Sequence, residues 1–203
     1  VLEAKPHVPS ACMLAWAALS ALDYLAKRRQ RAALLMGAQA GYAFGLVLTG
    51  LVGALLWPVL LAACWRRTAG NGNARRRVLV DLLNAGALAI SVYVVTNPYV
   101  FYNALFDRDA LTSNVSNSTA MYSNQMERLA LGAVRVGQLL IESGGWALII
   151  GGAVAFVWWA RRRPAECLTV AASGLGMLLI AVLLGADKPA EYARFLVWPV
   201  TLL

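Results

Sequence analysis

Long apolar runs recur along almost the whole sequence, with short basic turns between several of them. The runs cover residues 9–26, 32–48, 51–65, 78–96, 138–160 and 167–185, and a seventh begins near residue 193. A run of about 17–25 apolar residues is long enough to cross a bilayer as a helix. The sequence therefore predicts an all-α, polytopic transmembrane helix bundle with six complete spans and a truncated seventh.

The composition excludes the other common protein classes. Hydrophobic residues make up 60% of the chain and charged residues 14%, whereas soluble domains are about 25% charged. A disordered chain is poor in apolar residues, and three cysteines are too few for a disulfide scaffold. The net charge of +8 comes from clusters between apolar runs, which is typical of membrane topology and not of a nucleic-acid interface.

The basic clusters predict the orientation of the bundle. If each run crosses once, 12 of the 18 Lys and Arg residues fall on one side, after the first, third and fifth runs. Because basic residues stay in the cytoplasm, we expect this side to be cytoplasmic. Segments 1–10, 97–137 and 186–194 then face the opposite, extracytoplasmic side. The richness in Ala, Arg and Gly favours a bacterial inner membrane.

We expect residues 1–203 to be one transmembrane domain of a larger protein. The sequence begins with Val1 in place of Met and ends within an apolar run. Gly37, Gly41 and Gly45 fall on one face of the second span, which predicts close packing against another helix. The break at residues 49–50 predicts a tight hairpin between the second and third spans, and Pro58 predicts a kink.

Segment 97–137 is predicted to be a long extracytoplasmic loop. Pro98 disfavours helix at Asn97, so the fourth span should end there. Residues 112–119 read TSNVSNST and predict a flexible polar stretch. Residues 122–136 then follow the pattern of an amphipathic helix lying on the membrane or on other spans.

The role of this loop stays open at the level of sequence. It is either a structureless linker or a loop that covers a substrate. Two glycosylation-type triplets begin at Asn114 and Asn117. We favour an unmodified polar loop, because such triplets arise easily in this composition.

Two short charged segments are candidates for chemistry on the extracytoplasmic side. Glu3, Lys5 and His7 alternate in a Pro-punctuated segment, and together they suit phosphate binding and proton transfer. The alternative is that they contact lipid headgroups. In segment 186–194, Arg194 lies near the membrane surface and needs a partner. That partner is either a phosphate or an acidic residue such as Glu191.

No metal site is expected, since one His and three scattered cysteines form no ligand spacing. We expect Cys12, Cys64 and Cys167 to be buried small residues within helices. Residues 144–145 and 151–152 are interpreted as packing glycines of the fifth span.

Taken in order, four short motifs resemble those of a known family. They are EAKPH at 3–7, GAQAG at 37–41, TNPY at 96–99, and EYARF at 191–195 followed by Pro199. The order resembles the GT-C superfamily of integral-membrane glycosyltransferases, near the protein mannosyltransferase and aminoarabinose transferase branch. Relatives often carry a Lys near the end of the glycine-spaced span, and this sequence has none there.

The resemblance implies an enzyme that takes a sugar from a polyprenyl-phosphate donor and needs no other cofactor. Transfer would occur on the extracytoplasmic face, to a lipid, glycan or protein acceptor. Glu3 would match a secondary acidic position, with the main catalytic carboxylate encoded upstream of Val1. The predicted substrate-binding residues are Lys5, His7, Tyr99, Lys188, Tyr192 and Arg194.

Two other functions remain as alternatives. A transporter or flippase for a lipid-linked or small polar substrate is disfavoured, since few charges lie in the middle of the runs and no internal repeat is evident. A non-catalytic membrane subunit would tolerate removal of the charges in the extracytoplasmic segments.

Overall fold

The computed structural model describes residues 7–123 and 129–185, and every element in these two ranges is helical. The predicted all-α class is therefore confirmed. The elements are α1 (His7–Lys27), α2 (Gln30–Leu46), a 3-10 helix (Leu48–Leu55), α3 (Leu56–Arg67), α4 (Gly72–Thr96), α5 (Pro98–Phe106), α6 (Arg108–Ser123), α7 (Leu129–Arg162) and α8 (Pro164–Gly185).

Within the described ranges, four helical segments are long and apolar enough to cross a membrane. They are Val8–Lys27, Leu48–Arg67, Gly72–Thr96 and Pro164–Val182. The two arms of α7 make a fifth if they form one broken span. The remaining predicted span corresponds to α2, whose 17 residues lie at the lower limit of the length that can cross a bilayer. The predicted seventh span lies outside the described residues.

The glycine face of α2 packs directly on α4. A Cβ atom added at Gly37 would lie 2.1 Å from the carbonyl oxygen of Ala85, and one at Gly41 would lie 2.3 Å from that of Ala89. Gly45 faces the side chain of Thr96 in the same way. The predicted close packing is confirmed. The residue numbers of these contacting pairs increase in the same direction along both helices, so α2 and α4 run parallel. Two helices separated by one intervening span are expected to be parallel if each span crosses the membrane once.

The predicted hairpin after α2 is also confirmed, with a 3-10 helix as its returning arm. Gly50 lies against the backbone of Ala43, and Gly53 lies against Ala40, so the chain reverses direction. The span Leu48–Arg67 runs through Pro58 without a bend of more than 40°. Pro58 occupies the first turn of α3, where its missing N–H removes no internal bond of that helix.

Three further contacts show which helix ends lie at the same end of the bundle. Ser20 Oγ donates to Gln39 Oε1 at 2.8 Å, which joins the antiparallel pair α1 and α2. Arg67 reaches Glu166 at the start of α8, while Gly176 lies against Val52 and Leu55 farther along. We call the end where α1, α3 and α7 finish and α4 and α8 start the basic end. The opposite end, where α4 finishes, is the Asn97 end.

Segment 97–137 is largely helical in its described part, and its extracytoplasmic location stays a prediction. Residues 98–106 and 108–123 form α5 and α6, and the stretch 112–119 expected to be flexible lies inside α6. The helix predicted over residues 122–136 overlaps the first arm of α7, Leu129–Glu142, which is bent away from the second arm; residues 124–128 of the prediction lie outside the described ranges. The triplets at Asn114 and Asn117 therefore lie on a helix, and their modification stays untested.

The predicted fifth span is broken. The arms Leu129–Glu142 and Gly145–Arg162 meet at an angle of 106°, and Gly145 has φ 70°, a value that glycine adopts without a Cβ clash. A Cβ at Gly145 or Gly151 would meet no described atom within 4 Å, so neither is the packing glycine we expected. Cys12 is exposed, against prediction, while Cys64 and Cys167 are buried as predicted.

Candidate functional site

Most of the predicted site residues lie outside the described ranges. These are Glu3, Lys5, Lys188, Tyr192 and Arg194. His7 is the first residue of α1, so its backbone begins the first span. Tyr99 is the one substrate-binding candidate whose side chain the structure describes, and the site is built from its surroundings.

Asn97 organises a polar cap at the end of α4. Its side chain is buried, at 6% exposure. Its Nδ2 atom donates to the carbonyl oxygen of Gly45 at 3.1 Å and contacts Thr96 Oγ1 at 3.0 Å. The Tyr99 hydroxyl donates to Asn97 Oδ1 at 2.9 Å. Asn97 ends α4 as predicted, and it also ties the end of α2 to the start of α5.

Tyr99 itself is 60% exposed, although its hydroxyl is tied to Asn97. Pro98 occupies the first helical position of α5, where its fixed φ suits a helix start. The ring of Tyr99 is therefore oriented by a short, fixed connection, and its open face is available to a ligand at the Asn97 end.

An apolar cleft lies directly below this cap, between α2, the 3-10 helix and α4. Its volume is about 250 Å³. The rings of Phe44 and Tyr93 stack at its upper wall, with centroids 4.2 Å apart and planes at 14°. Trp57 closes the lower part, where its Nε1 donates to the carbonyl oxygen of Leu82 at 3.0 Å. Other lining residues include Gly41, Gly50, Leu51, Ala54, Gly86 and Ile90.

Two more buried hydroxyls belong to the Asn97 end. Ser10 Oγ donates to the carbonyl oxygen of Ala43 at 3.0 Å, which fixes the start of α1 on α2. Thr49 is 5% exposed, and its hydroxyl has no hydrogen-bond partner among the described residues. A buried hydroxyl without a partner costs free energy, so Thr49 is a free hydrogen-bonding group beside the hairpin.

Helix α5 presents apolar side chains on all sides at the same end of the bundle. None of its residues is buried, and Leu105 and Phe106 are 71% and 74% exposed. Tyr102 packs against Phe106 with ring centroids 5.1 Å apart. Large exposed apolar surface of this kind, rich in aromatic rings, is typical of contact with a membrane interface.

The basic end carries a second polar cluster, which the sequence indicated only in part. Two acidic residues, Asp23 on α1 and Asp81 on α4, lie at this end of the bundle. Asp23 pairs with Lys27. Asp81 is buried, at 4% exposure, and accepts a hydrogen bond from the Tyr24 hydroxyl at 3.1 Å. The Arg28 guanidinium lies 5.7 Å from the centre of the Tyr24 ring.

Sequence reasoning missed the cleft and the Tyr24–Asp81 pair. The pair joins residues 57 positions apart, so no local pattern could indicate it. In the described part of the chain, no three His, Cys, Asp or Glu side chains come together as a possible metal site.

The comparisons with known proteins gave no relative. No protein-family model, curated protein or solved structure matches the chain. The resemblance to GT-C glycosyltransferases therefore rests on the four sequence motifs alone.

Proposed function

We propose that the protein is a membrane glycosyltransferase that moves a sugar from a polyprenyl-phosphate donor to an acceptor on the extracytoplasmic face of a bacterial inner membrane. The observation that supports it most is the apolar cleft that ends under the Asn97–Tyr99 cap. A prenyl-phosphate sugar has an apolar tail and a polar head, and it needs apolar and polar surfaces in this order.

In this proposal, the tail lies along the cleft and the Phe44–Tyr93 stack marks the depth at which the tail gives way to the head. The cap then lies at the level of the phosphate and sugar. Tyr99 contributes its exposed ring face to the sugar, and Thr49 offers a buried hydroxyl nearby. The glycines of the cleft, such as Gly41 and Gly50, leave room for a chain between the helices.

The sugar-transfer step is assigned to the charged residues that the sequence analysis predicts as site residues. A carboxylate takes the proton of the acceptor hydroxyl while the acceptor oxygen bonds to the anomeric carbon, and the bond from that carbon to the phosphate oxygen breaks. Glu3 is assigned as the secondary acidic residue of this site. Lys5, Lys188 and Arg194 stabilise the negative charge on the departing polyprenyl phosphate, with His7 and Tyr192 beside them.

The test of this site uses the full-length protein in vesicles with a radiolabelled polyprenyl-phosphate sugar. We expect Glu3→Gln and Arg194→Ala each to lower the rate of sugar transfer by about 100-fold, the usual size of a lost charge in a transfer site. Asp109→Asn and Arg108→Ala are the matched controls, since both residues are exposed near the same end of the bundle. If both site variants retain the wild-type rate, the assignment is wrong.

A further inference from the structure

A groove at the basic end has a different character from the cleft, and the proposed function does not use it. It lies between α3 and the turn that joins α7 to α8, and it has a volume of about 450 Å³. Four arginines and one glutamate line it, with a net charge of +3. The arginines are Arg66, Arg67, Arg162 and Arg163.

Only some of these charged side chains are held by contacts within the protein. Arg67 donates to Glu166 at 3.0 Å and to the carbonyl oxygen of Leu25 at 3.2 Å, so it holds the end of α3 on α8 and α1. The guanidinium groups of Arg66 and Arg163 make no hydrogen bond and no ion pair within the described ranges, and only their backbones are hydrogen-bonded. Each wall of the groove therefore offers one guanidinium that is free of hydrogen bonds, Arg66 from α3 and Arg163 from the α7–α8 turn. Arg163 interacts with Glu166 through charge alone.

The rest of the groove is apolar, and the groove lies where candidate membrane spans end at Arg67 and Arg162 and begin at Pro164. Apolar side chains line the part of the groove that is farther from the basic end, including Val59, Ala62 and Leu168. Trp158, on α7, is 56% exposed, and the Arg162 guanidinium lies 4.4 Å from its ring centre. Exposed tryptophan rings mark the boundary between headgroups and acyl chains, so the arginines lie at phosphate level.

We propose that this groove binds an anionic membrane phospholipid, with the headgroup phosphate between Arg66 and Arg163. Guanidinium groups bind phosphate oxygens through paired N–H donors. The apolar lining below them accepts the first part of an acyl chain. A headgroup with two phosphates contacts both walls at once, so cardiolipin should bind more tightly than phosphatidylglycerol. By the distribution of basic residues, the lipid comes from the cytoplasmic leaflet.

The experiment measures cardiolipin binding to the full-length protein in phosphatidylcholine nanodiscs, by quenching of a fluorescent cardiolipin. We expect Arg66→Gln with Arg163→Gln to weaken binding about 30-fold, since each basic residue at a membrane surface contributes about fivefold. Arg76→Gln with Arg77→Gln is the matched control. It removes the same charge at the same end, from exposed residues of α4 that do not line the groove. Equal weakening in both double variants would show general attraction to charge and overturn the proposal.

A second variant removes space and leaves every charge in place. Ala62 is exposed and lines the groove, so Ala62→Trp should fold normally and still weaken cardiolipin binding about tenfold by filling the lining. Unchanged binding in this variant would contradict a seated lipid. Glycerol phosphate and inorganic phosphate are tested as competitors. If either displaces cardiolipin at low concentration, the ligand is a free phosphate compound and the lipid proposal fails.

Discussion

The close packing of α2 on α4 makes a sharp prediction about single methyl groups. A Cβ at Gly41 would lie 2.3 Å from the carbonyl oxygen of Ala89 and 2.8 Å from its carbonyl carbon. An ordinary contact needs more than 3.4 Å, so Gly41→Ala must push the two backbones apart by about 1 Å. The clash is between the added Cβ, which is fixed to the backbone of α2, and the backbone of α4. No change of side-chain rotamer can therefore relieve it.

The magnitude follows from two opposing effects. Overpacking of this kind costs about 1–3 kcal/mol, and replacing glycine by alanine in a helix returns about 1 kcal/mol. We expect a net loss of up to about 2 kcal/mol for Gly41→Ala, or a fall in melting temperature of up to about 8 °C for a chain of this size. Gly37→Ala should behave alike. The double variant should lose less than the sum, since one separation of the helices accommodates both methyl groups.

Gly137→Ala is the matched control, because a Cβ there meets no described atom within 4 Å. It gains the helix preference without a clash and should leave the melting temperature unchanged or raise it. Thermal unfolding in detergent can be followed by reaction of a thiol dye with the buried Cys64 and Cys167, as an increase above the constant signal of the exposed Cys12. If Gly41→Ala stabilises the protein as much as Gly137→Ala does, the α2–α4 contact is not as close as described.

Three further predictions concern the polar contacts of the bundle, each measured as a melting temperature in detergent. Tyr24→Phe leaves the buried Asp81 side chain without its hydrogen-bond donor, and we expect the free energy of unfolding to fall by about 1–3 kcal/mol. A decrease smaller than the error of the assay would show that the pair is not formed. Asn97→Ala removes the bonds to Gly45 and Tyr99 and should cost about 1–2 kcal/mol, whereas the exposed Asn84→Ala should be neutral; equal effects would refute the cap. Arg67→Gln should cost about 1 kcal/mol, a value kept low because its ion pair is partly exposed; no change in the melting temperature would mean that Arg67 does not join α3 to α8.

The helical class and several local features could be predicted because they depend on neighbouring residues. Apolar run lengths indicate the membrane helices, Pro98 sets the end of α4, and the four-residue spacing of Gly37 and Gly41 places them on one face. What the sequence could not indicate is the partner of that face. Ala85 and Ala89 lie more than forty positions away, and only the folded bundle brings them against α2.

The errors have physical causes of the same kind. The stretch 112–119 is polar without apolar periodicity, so no pattern in it predicts the helix α6. Gly145 lies in an apolar context that also suits a packed glycine, and only its backbone conformation distinguishes a break from a contact. The two cavities combine α2 with α4, and α3 with the α7–α8 turn, so their residues share no local pattern.

The most direct test of the proposed function compares chemistry with transport in one preparation. The full-length protein is placed in sealed vesicles with a radiolabelled polyprenyl-phosphate sugar and a cell-envelope extract as acceptor. The proposed function predicts that label passes to the acceptor while free polyprenyl phosphate forms in equal amount, and that Glu3→Gln suppresses both. Movement of the intact donor across the bilayer without transfer of its sugar would contradict it and indicate a flippase.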